Sequence, residues 1–423
     1  MEILTTLNQI IALLFFLCFL PQLIYIPIRL FKKRTPPPPA PLRRFAVLIC
    51  ARNEEDVIAQ LIESVKAQSY PSEYVRIFVM ADNCTDRTAV IARLAGATVY
   101  ERQNRSEVGK GYALSELLRS IDRDCGDAFD GYFVFDADNL LDRDFITEMN
   151  RCFTTRDGDT CPGRYEILTS YRNSKNFGDN WISAGYSLWF LRESAYLNAP
   201  RQALGISCGV SGTGFLFSRR IRHKMNGWCY HLLTEDTEFT TDQILDGERI
   251  GCCPDAILYD EQPTRFSQAW HQRMRWVKGS LQVFARHGGR LMRSVLRGSL
   301  SCYDTCLSNL PAIVLNVASL LVNLGMAGLH LAKGASLSTA FAPVGAGLLG
   351  AYATFFLLGI LTLITEWRRI HAPISRKIRY LFTFPLFMFT YIPISVAALF
   401  MPVTWKPIKH HARSLTAAGK STD

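Results

Sequence analysis

The sequence lacks several patterns by which common classes of protein are recognised. Its 12 cysteines form no CxxC pair and no grouping with histidine at zinc-binding spacing. This excludes a zinc module and favours a set of reduced thiols. The polar middle segment has no glycine-rich phosphate loop, which argues against a kinase or a dinucleotide-dependent enzyme. No internal repeat is present, and the notable features are long apolar runs at both ends and a net charge of +10.

The N-terminal run has no charged residue between Glu2 and Arg29. As a helix it would be roughly 40 Å long, which is enough to cross a bilayer with some tilt. A cleaved signal peptide is the alternative, but no basic residue precedes the run, and a polyproline stretch follows it in place of a small-residue cleavage site. We predict a transmembrane anchor over residues 1–34.

The anchor ends in a basic flank, residues 29–34, which contains four Lys or Arg residues. By the positive-inside rule, this flank and the middle segment are predicted to lie in the cytoplasm, with the N-terminus outside. The prolines at 36–39 and 41 form a short stiff spacer between membrane and domain. The sequence thus predicts an integral protein of the plasma membrane.

The C-terminal part turns apolar again. Thr305–Leu331 and Thr339–Thr365 have the length of membrane spans, and the basic loop Arg368–Arg379 after them is expected on the cytoplasmic side. A third run, Tyr380–Val403, is ambiguous. If it spans, the basic tail lies outside against the charge rule, whereas Pro385 and Pro393 could break it into a re-entrant or interfacial segment that leaves the tail inside.

The positive charge does not indicate a nucleic-acid partner. Much of it lies beside the apolar runs, in residues 29–34, 286–297 and 368–379. Anionic lipid and membrane orientation account for charge in these positions, so we expect membrane lipid as a partner and no nucleic acid.

The middle segment alternates apolar runs with helical patterns, as a parallel sheet requires. We therefore predict an α/β cytosolic domain over residues 35–300, followed by a membrane cluster over 301–404 and a polar tail over 405–423. The predicted strands are Phe45–Cys50, Arg76–Met80, Thr98–Tyr100 and Gly131–Phe135, and the predicted helices are Asp56–Gln68, Arg87–Leu94 and Gly111–Ile121.

Polar residues follow these strands directly, where open α/β sheets bind ligands. Glu54 comes after the first strand and Asp82 after the second. Asp136 and Asp138 follow the fourth strand, and in an extended stretch both carboxylates would point to one cavity while Ala137 faces away. Two close carboxylates favour a hard divalent cation, Mg²⁺ or Mn²⁺, which also binds diphosphate oxygens.

Three further motifs carry polar or aromatic chemistry. In Thr234-Glu-Asp, the threonine has the pattern of a helix N-cap, and Asp236 is a separate carboxylate suited to a general base. Gln272–Trp276 lies on a helix predicted to begin with Ser267 as N-cap, where an arginine can reach phosphate oxygens and an indole can stack on a sugar. An amphipathic membrane-surface helix is a compatible second interpretation. The glycines of Ser211–Gly214 permit close approach of a ligand.

In this order and spacing, the motifs resemble the inverting, membrane-embedded family 2 glycosyltransferases, which include cellulose, hyaluronan and chitin-oligosaccharide synthases. The resemblance covers about Phe45 to Arg286 and the flanking membrane segments. It implies a Rossmann-like GT-A domain that uses a UDP-sugar, with GlcNAc or glucose as the sugar. The expected product is a β-linked polysaccharide or oligosaccharide. The alternative is a single addition to a membrane lipid, and a non-catalytic receptor is disfavoured because the acidic set is intact.

The resemblance also implies a role for each residue. Asp236 is the catalytic base, Asp138 is the metal ligand, and Asp136 lies nearer the sugar and nucleotide. The remaining expected donor contacts are Glu54, Asp82, Lys110, Gln272 and Arg275, and the expected acceptor-side residues are Trp276, Gly212, Thr213 and Glu235.

Overall fold

A computed structural model describes residues 2–32, 35, 37–155, 164–309, 311–403 and 410. Lys33 and Arg34 of the basic flank lie outside the described residues, as does all of the polar tail except His410.

Within the described residues, eight strands form one sheet in the order β3-β2-β1-β4-β7-β6-β8-β5. β1 to β4 are parallel neighbours, β7 is antiparallel to both β4 and β6, β6 and β8 are parallel, and β5 is antiparallel to β8. The strands are β1 Phe45–Ala51, β2 Val75–Asp82, β3 Thr98–Arg102, β4 Gly131–Asp136, β5 Leu140–Leu141, β6 Ile167–Ser174, β7 Phe215–Ser218 and β8 Ile250–Asp260.

Helices cover the sheet and continue into the apolar ends of the chain. In the α/β part they are α2 Ile58–Lys66, α3 Thr88–Leu94, α4 Lys110–Cys125, α5 Phe145–Cys152, α6 Trp181–Arg192, α7 Ala199–Ala203, α8 Arg219–Lys224, α9 Glu235–Leu245 and α10 Phe266–Leu296. The flanking helices are α1 Glu2–Phe31, α11 Leu300–Asn309, α12 Pro311–Ala332, α13 Leu337–Thr365, α14 Ile374–Phe389 and α15 Tyr391–Phe400.

The central strands are apolar along their whole length because helices cover both faces of the sheet. One apolar cluster joins α4 to one face through residues such as Leu114 and Leu117, and a second joins α2 and α5 to the other face through Leu61 and Phe145. The predicted strands and helices of the first half are all present, with ends that shift by up to four residues. The predicted α/β fold is confirmed.

Three helical stretches of the described chain are long and apolar enough to cross a membrane: Ile3–Phe31, Leu337–Thr365 and Ile374–Phe400. The last is interrupted at Thr390, where α14 ends and α15 begins. Both helices pack on the α/β part of the protein. Phe387 lies over Gly185 of α6, where there is no room for a larger residue, and Lys278 of α10 donates to the carbonyl of Ala398 at 3.0 Å.

Of two predicted helix caps, Thr234 is confirmed in its position and Ser267 is wrong. Thr234 has the N-cap position of α9, but its hydroxyl makes no capping bond, because it is packed beneath Gly279 of α10. Ser267 lies inside α10, which begins one residue earlier and continues 13 residues beyond Val283 because its buried face extends to Leu291.

Candidate active site

A cleft of about 550 Å³ opens at the ends of β1, β2 and β4 and is closed on the far side by α10. Its size is typical of a small-molecule site. The chain leaves β1 and β2 through Asn53 and Asn83, whose φ angles of 57° and 54° are left-handed conformations that asparagine tolerates. These turns leave Glu54 and Asp82 at the cleft. Of the twelve residues predicted for the site, only Thr213 does not line it.

Asp82 is held in place by a neighbouring cation. Its Oδ1 accepts hydrogen bonds from Arg102 Nη1 at 2.8 Å and from Asn83 Nδ2 at 3.1 Å. Arg102 also pairs with Glu107, at 3.0 Å, in the loop before α4. One carboxylate of the cleft is therefore fixed before any ligand arrives.

Glu54 faces a residue that the sequence pattern did not indicate, His410. The imidazole Nδ1 lies 3.0 Å from Glu54 Oε2. Burial lowers the pKa of His410, but the carboxylates of Asp138 and Glu54 outweigh that effect and raise it to about 10. His410 is therefore a cation at neutral pH.

Asp136 and Asp138 do not share an extended stretch, so the prediction from strand alternation is wrong here. β4 ends at Asp136, and residues 137–139 form a turn closed by a bond from Asn139 N to Asp136 O at 3.1 Å. Asp136 remains partly exposed, whereas Asp138 is buried and accepts from the amide of Glu261 at 2.8 Å. Burial alone would raise the pKa of Asp138, but His410, Lys175 and that amide lower it.

Thr213 supports this turn from behind. Its hydroxyl accepts from Asp136 N at 2.9 Å and bonds to the Asn139 side chain, and only 2% of the residue is exposed. This position contradicts the prediction that Thr213 contacts the acceptor. Lys110, at the start of α4, pairs with Asp136 and donates to the carbonyl of Gly212 at 2.6 Å.

Glu235 and Asp236 form the first turn of α9, side by side at the cleft wall. Burial, and then the charge of Asp236, raise the pKa of Glu235 to about 7, and burial also raises the pKa of Asp236. Glu235 is buried, while Asp236 is partly open to the cleft. Asp236 Oδ2 approaches Gly212, which has a φ of 75° and leaves no Cβ beside the carboxylate.

α10 supplies the opposite wall. Arg275 donates to the carbonyl of Leu233 at 2.7 Å and thereby joins α10 to the chain leading into α9. Trp276 presents its indole edge-on to Tyr186 and Phe190, with ring centroids 5.8 and 6.1 Å apart. The Oε1 of Gln272 is buried and has no hydrogen-bond partner among the described residues.

Residues 41–279 match the family model described as glycosyltransferase-like family 2. The chain is a member of this glycosyltransferase family. A beta-monoglucosyldiacylglycerol synthase from a Nostoc species is 26% identical over 283 residues, 65% of this chain and 57% of that protein. A probable glycosyltransferase from Bacillus subtilis, YdaM, is 26% identical over 257 residues, which are 57% of this chain and 56% of that protein. The chain thus spans little more than half the length of these curated relatives.

Among solved structures, a mannosyltransferase from Pyrobaculum calidifontis in complex with GDP-Man and Mn²⁺ aligns with a TM-score of 0.59. The alignment covers 93% of this chain and 99% of the mannosyltransferase chain, with 17% sequence identity. At this identity the likeness concerns the fold alone. The GT-A architecture predicted from the motifs is confirmed for this glycosyltransferase.

The sequence pattern missed one ion pair of the glycosyltransferase cleft. Arg172 of β6 binds Asp260 of β8 at 2.5 Å, donates to the carbonyl of Ser211 at 3.0 Å, and lies 3.6 Å above the ring of Phe190. Both residues stand near the ends of parallel strands, as Glu54 and Asp82 do. The same signal, a polar residue closing an apolar run, was present in Leu258-Tyr-Asp260.

The cleft has a marked excess of negative charge. Its lining contains nine Asp or Glu residues and four Lys or Arg residues. A nucleotide diphosphate is itself an anion, so its binding here requires additional positive charge near the phosphates. His410 supplies some of it, and a divalent cation is the usual further source.

Proposed function

We propose that the protein transfers a hexose from a UDP-sugar to a hydroxyl group of a membrane lipid, with inversion at the sugar carbon. The observation that carries this proposal is the floor of the cleft. Trp189, Phe190 and Trp276 line the cleft and also pack into the cluster formed by α13 and α14. The Trp189 ring lies 6.3 Å from that of Tyr391 in α15. An acceptor reaching these rings would come from the apolar side of the domain.

The names of relatives favour a lipid acceptor over a growing polysaccharide. Several carry the name beta-monoglucosyldiacylglycerol synthase, and shorter matches carry the name 4,4'-diaponeurosporenoate glycosyltransferase. The sequence motifs alone resemble those of processive polysaccharide synthases, with a single addition to a membrane lipid as the alternative function. With both the apolar floor and these relatives considered, the alternative becomes our proposal.

In the proposed reaction, Asp236 accepts the proton of the acceptor hydroxyl, whose oxygen attacks the anomeric carbon as the bond to the diphosphate breaks. The partly open position of Asp236 beside Gly212 suits this role. Lys110, Arg275 and His410 are cations around the cleft that would stabilise the leaving diphosphate. Trp276 would form the platform for the acceptor, and Glu54 and Asp82 would bind the nucleotide.

The carboxylates suit a metal bound together with the substrate. Among the described residues, no three His, Cys, Asp or Glu side chains are grouped to hold a metal ion by themselves. Mg²⁺ commonly binds through one or two carboxylates plus substrate phosphates. Asp138, with its lowered pKa, and the partly exposed Asp136 fit this pattern. When bound, Mg²⁺ or Mn²⁺ would neutralise charge on the leaving diphosphate.

We further propose that the catalytic domain lies at the cytoplasmic face and that α14 and α15 lie along this face instead of crossing the membrane. Their packing on α6 and α10 supports an interfacial position. The contact of His410 with Glu54 places this one described residue beyond α15 at the cleft, on the same side as the domain.

The decisive experiment separates lipid from polymer and identifies the donor. Purified protein would be incubated with diacylglycerol or total membrane lipid and a panel of UDP- and GDP-sugars, with nucleotide release and product masses recorded. We expect UDP release that depends on added lipid, and one sugar on the product. Trp276→Ala should remove most of this activity, since stacking on an aromatic platform contributes about 1–3 kcal/mol. A ladder of products formed without added lipid would refute the proposal.

A further inference from the structure

A second cavity lies outside the cleft, where the ends of two apolar helices meet. It is formed by Arg29 in the last turn of α1 and by residues 364–369 at the end of α13 and the turn after it. Three arginines and one tryptophan belong to this lining: Arg29, Arg368, Arg369 and Trp367. We propose that this cavity binds the phosphate head group of an anionic phospholipid.

The charge of the cavity is not balanced internally. Its one carboxylate, Glu366, is 2% exposed and is shared between Arg29 at 3.2 Å and Arg369 at 3.3 Å. Arg368 is exposed, and within the described residues no hydrogen bond or ion pair joins it to a partner. One negative charge therefore faces three positive charges. A phosphate diester, with one negative charge and oxygens that accept from several guanidinium groups, has complementary chemistry.

The position of the cavity supports a lipid as the source of that phosphate. Both candidate spans end here, α1 at Phe31 and α13 at Thr365. Arginine and tryptophan at the ends of spans are typical of the head-group layer, and basic pockets between membrane helices bind anionic lipids there. Trp367 is fixed at this level by Lys377, whose ammonium lies 4.4 Å from its ring and donates to its carbonyl at 2.8 Å.

The cavity is also connected to the catalytic cleft by direct contacts. Tyr171 of β6 donates to Glu366 at 2.8 Å, and the Arg369 guanidinium lies 4.0 Å from the Tyr171 ring. The next residue in β6 is Arg172, which lines the cleft and binds Asp260. A lipid that repositions Arg369 would act on the strand that carries a cleft residue.

The test measures lipid retention, so it does not depend on the proposed reaction. Protein in neutral detergent would be given phosphatidylglycerol or phosphatidylcholine and analysed by native mass spectrometry after washing at about 0.5 M salt, where the Debye length falls below about 5 Å and diffuse attraction is screened. We expect retention of one phosphatidylglycerol and no phosphatidylcholine. Arg368→Gln should raise the phosphatidylglycerol concentration needed for half-maximal retention by about fivefold, the effect of one cationic contact.

Arg379→Gln is the matched control, because Arg379 is an exposed arginine of the nearby helix α14 and lies outside the cavity. It should retain phosphatidylglycerol like the parent. Equal losses in the two variants would indicate diffuse surface attraction and overturn the site, as would unchanged retention in Arg368→Gln. Soluble glycerol phosphate should compete only at far higher concentration, and binding as tight as that of the lipid would overturn the assignment to a membrane source. An unchanged unfolding temperature of Arg368→Gln would exclude a folding defect.

Discussion

Replacing Asp236 with asparagine isolates the proposed base from the rest of the cleft. The asparagine has nearly the same shape, so the first turn of α9 and the approach of Gly212 should be preserved. Removal of one of two adjacent carboxylates also relieves repulsion, since the charge of Asp236 helps to raise the pKa of Glu235. We therefore expect Asp236→Asn to fold at least as stably as the parent.

Turnover, in contrast, should fall by about 100-fold or more, because general-base catalysis commonly contributes 10²–10⁴-fold. A 100-fold loss corresponds to about 2.7 kcal/mol of transition-state stabilisation. Binding of UDP should be unchanged, since Asp82 is held by Arg102 and not by any residue of α9. The expected pattern is a large fall in kcat with a nearly constant dissociation constant for UDP.

The rate of UDP release at saturating donor and acceptor concentrations measures kcat, and calorimetric titration with UDP measures the dissociation constant. Glu235→Gln is the matched control, because it makes the same carboxylate-to-amide change one residue away. It should lose much less activity, since Glu235 is buried and Asp236 is the residue open to the cleft. If Asp236→Asn turned over within a few-fold of the parent, or if both variants lost activity equally, Asp236 would not be the base.

Four further predictions concern the cleft and the residues that support it. EDTA should abolish UDP release, and added Mn²⁺ or Mg²⁺ should restore it. Asp138→Asn should lose activity that neither ion restores. Full activity in EDTA would exclude a metal-dependent reaction. Because burial raises the pKa of Asp236, the proposed base should take up a proton at a higher pH than an ordinary aspartate does, and the acidic limb of UDP release should be displaced upward accordingly; a limb in the ordinary aspartate range would contradict this. The folded state holds the Glu235 proton more tightly than the unfolded chain, so this group should reduce the free energy of unfolding as pH rises from 4.5 to 7, measurable by urea denaturation. Arg273 is fully buried against Phe387 and Tyr391, and its guanidinium donates a hydrogen bond to the Thr390 hydroxyl at 2.6 Å, which fixes α10 to the break between α14 and α15. Arg273→Met should therefore reduce the free energy of unfolding by about 3 kcal/mol. An unchanged unfolding temperature would contradict this.

The first half of the sheet could be predicted from sequence because each of its strands is a continuous apolar run between polar turns. The second half could not. β8 contains Pro254 and Asp255, and its pairing with β6 shifts register between Ser170 and Tyr171, so its pattern is irregular. β7 has only four residues and takes its place through antiparallel pairing with distant strands.

The candidate site was predictable where a polar residue closes an apolar run, as at Glu54, Asp82 and Asp136. It was not predictable where a residue reaches the cleft through long-range packing. His410 meets Glu54 across 356 positions of sequence, and Arg172 lies in the cleft because of its pairing with Asp260. The prediction for Thr213 was wrong although the loop was identified correctly from its glycines. The Thr213 side chain turns toward Asn139 and away from the cleft.

If the acceptor is a membrane lipid, as proposed, the floor of the cleft formed by Trp189, Phe190 and Trp276 determines from which phase each substrate arrives. Because these rings pack directly on the apolar helices, an acceptor dissolved in the bilayer would arrive by lateral diffusion in two dimensions, while the donor arrives from a three-dimensional solution. The relevant concentration of the donor is then its molar concentration in solution, whereas that of the acceptor is its fraction of the membrane lipids. The rate would depend on the mole fraction of acceptor among membrane lipids, so diluting the bilayer with inert lipid would slow the enzyme even when the amount of acceptor per volume of sample is constant.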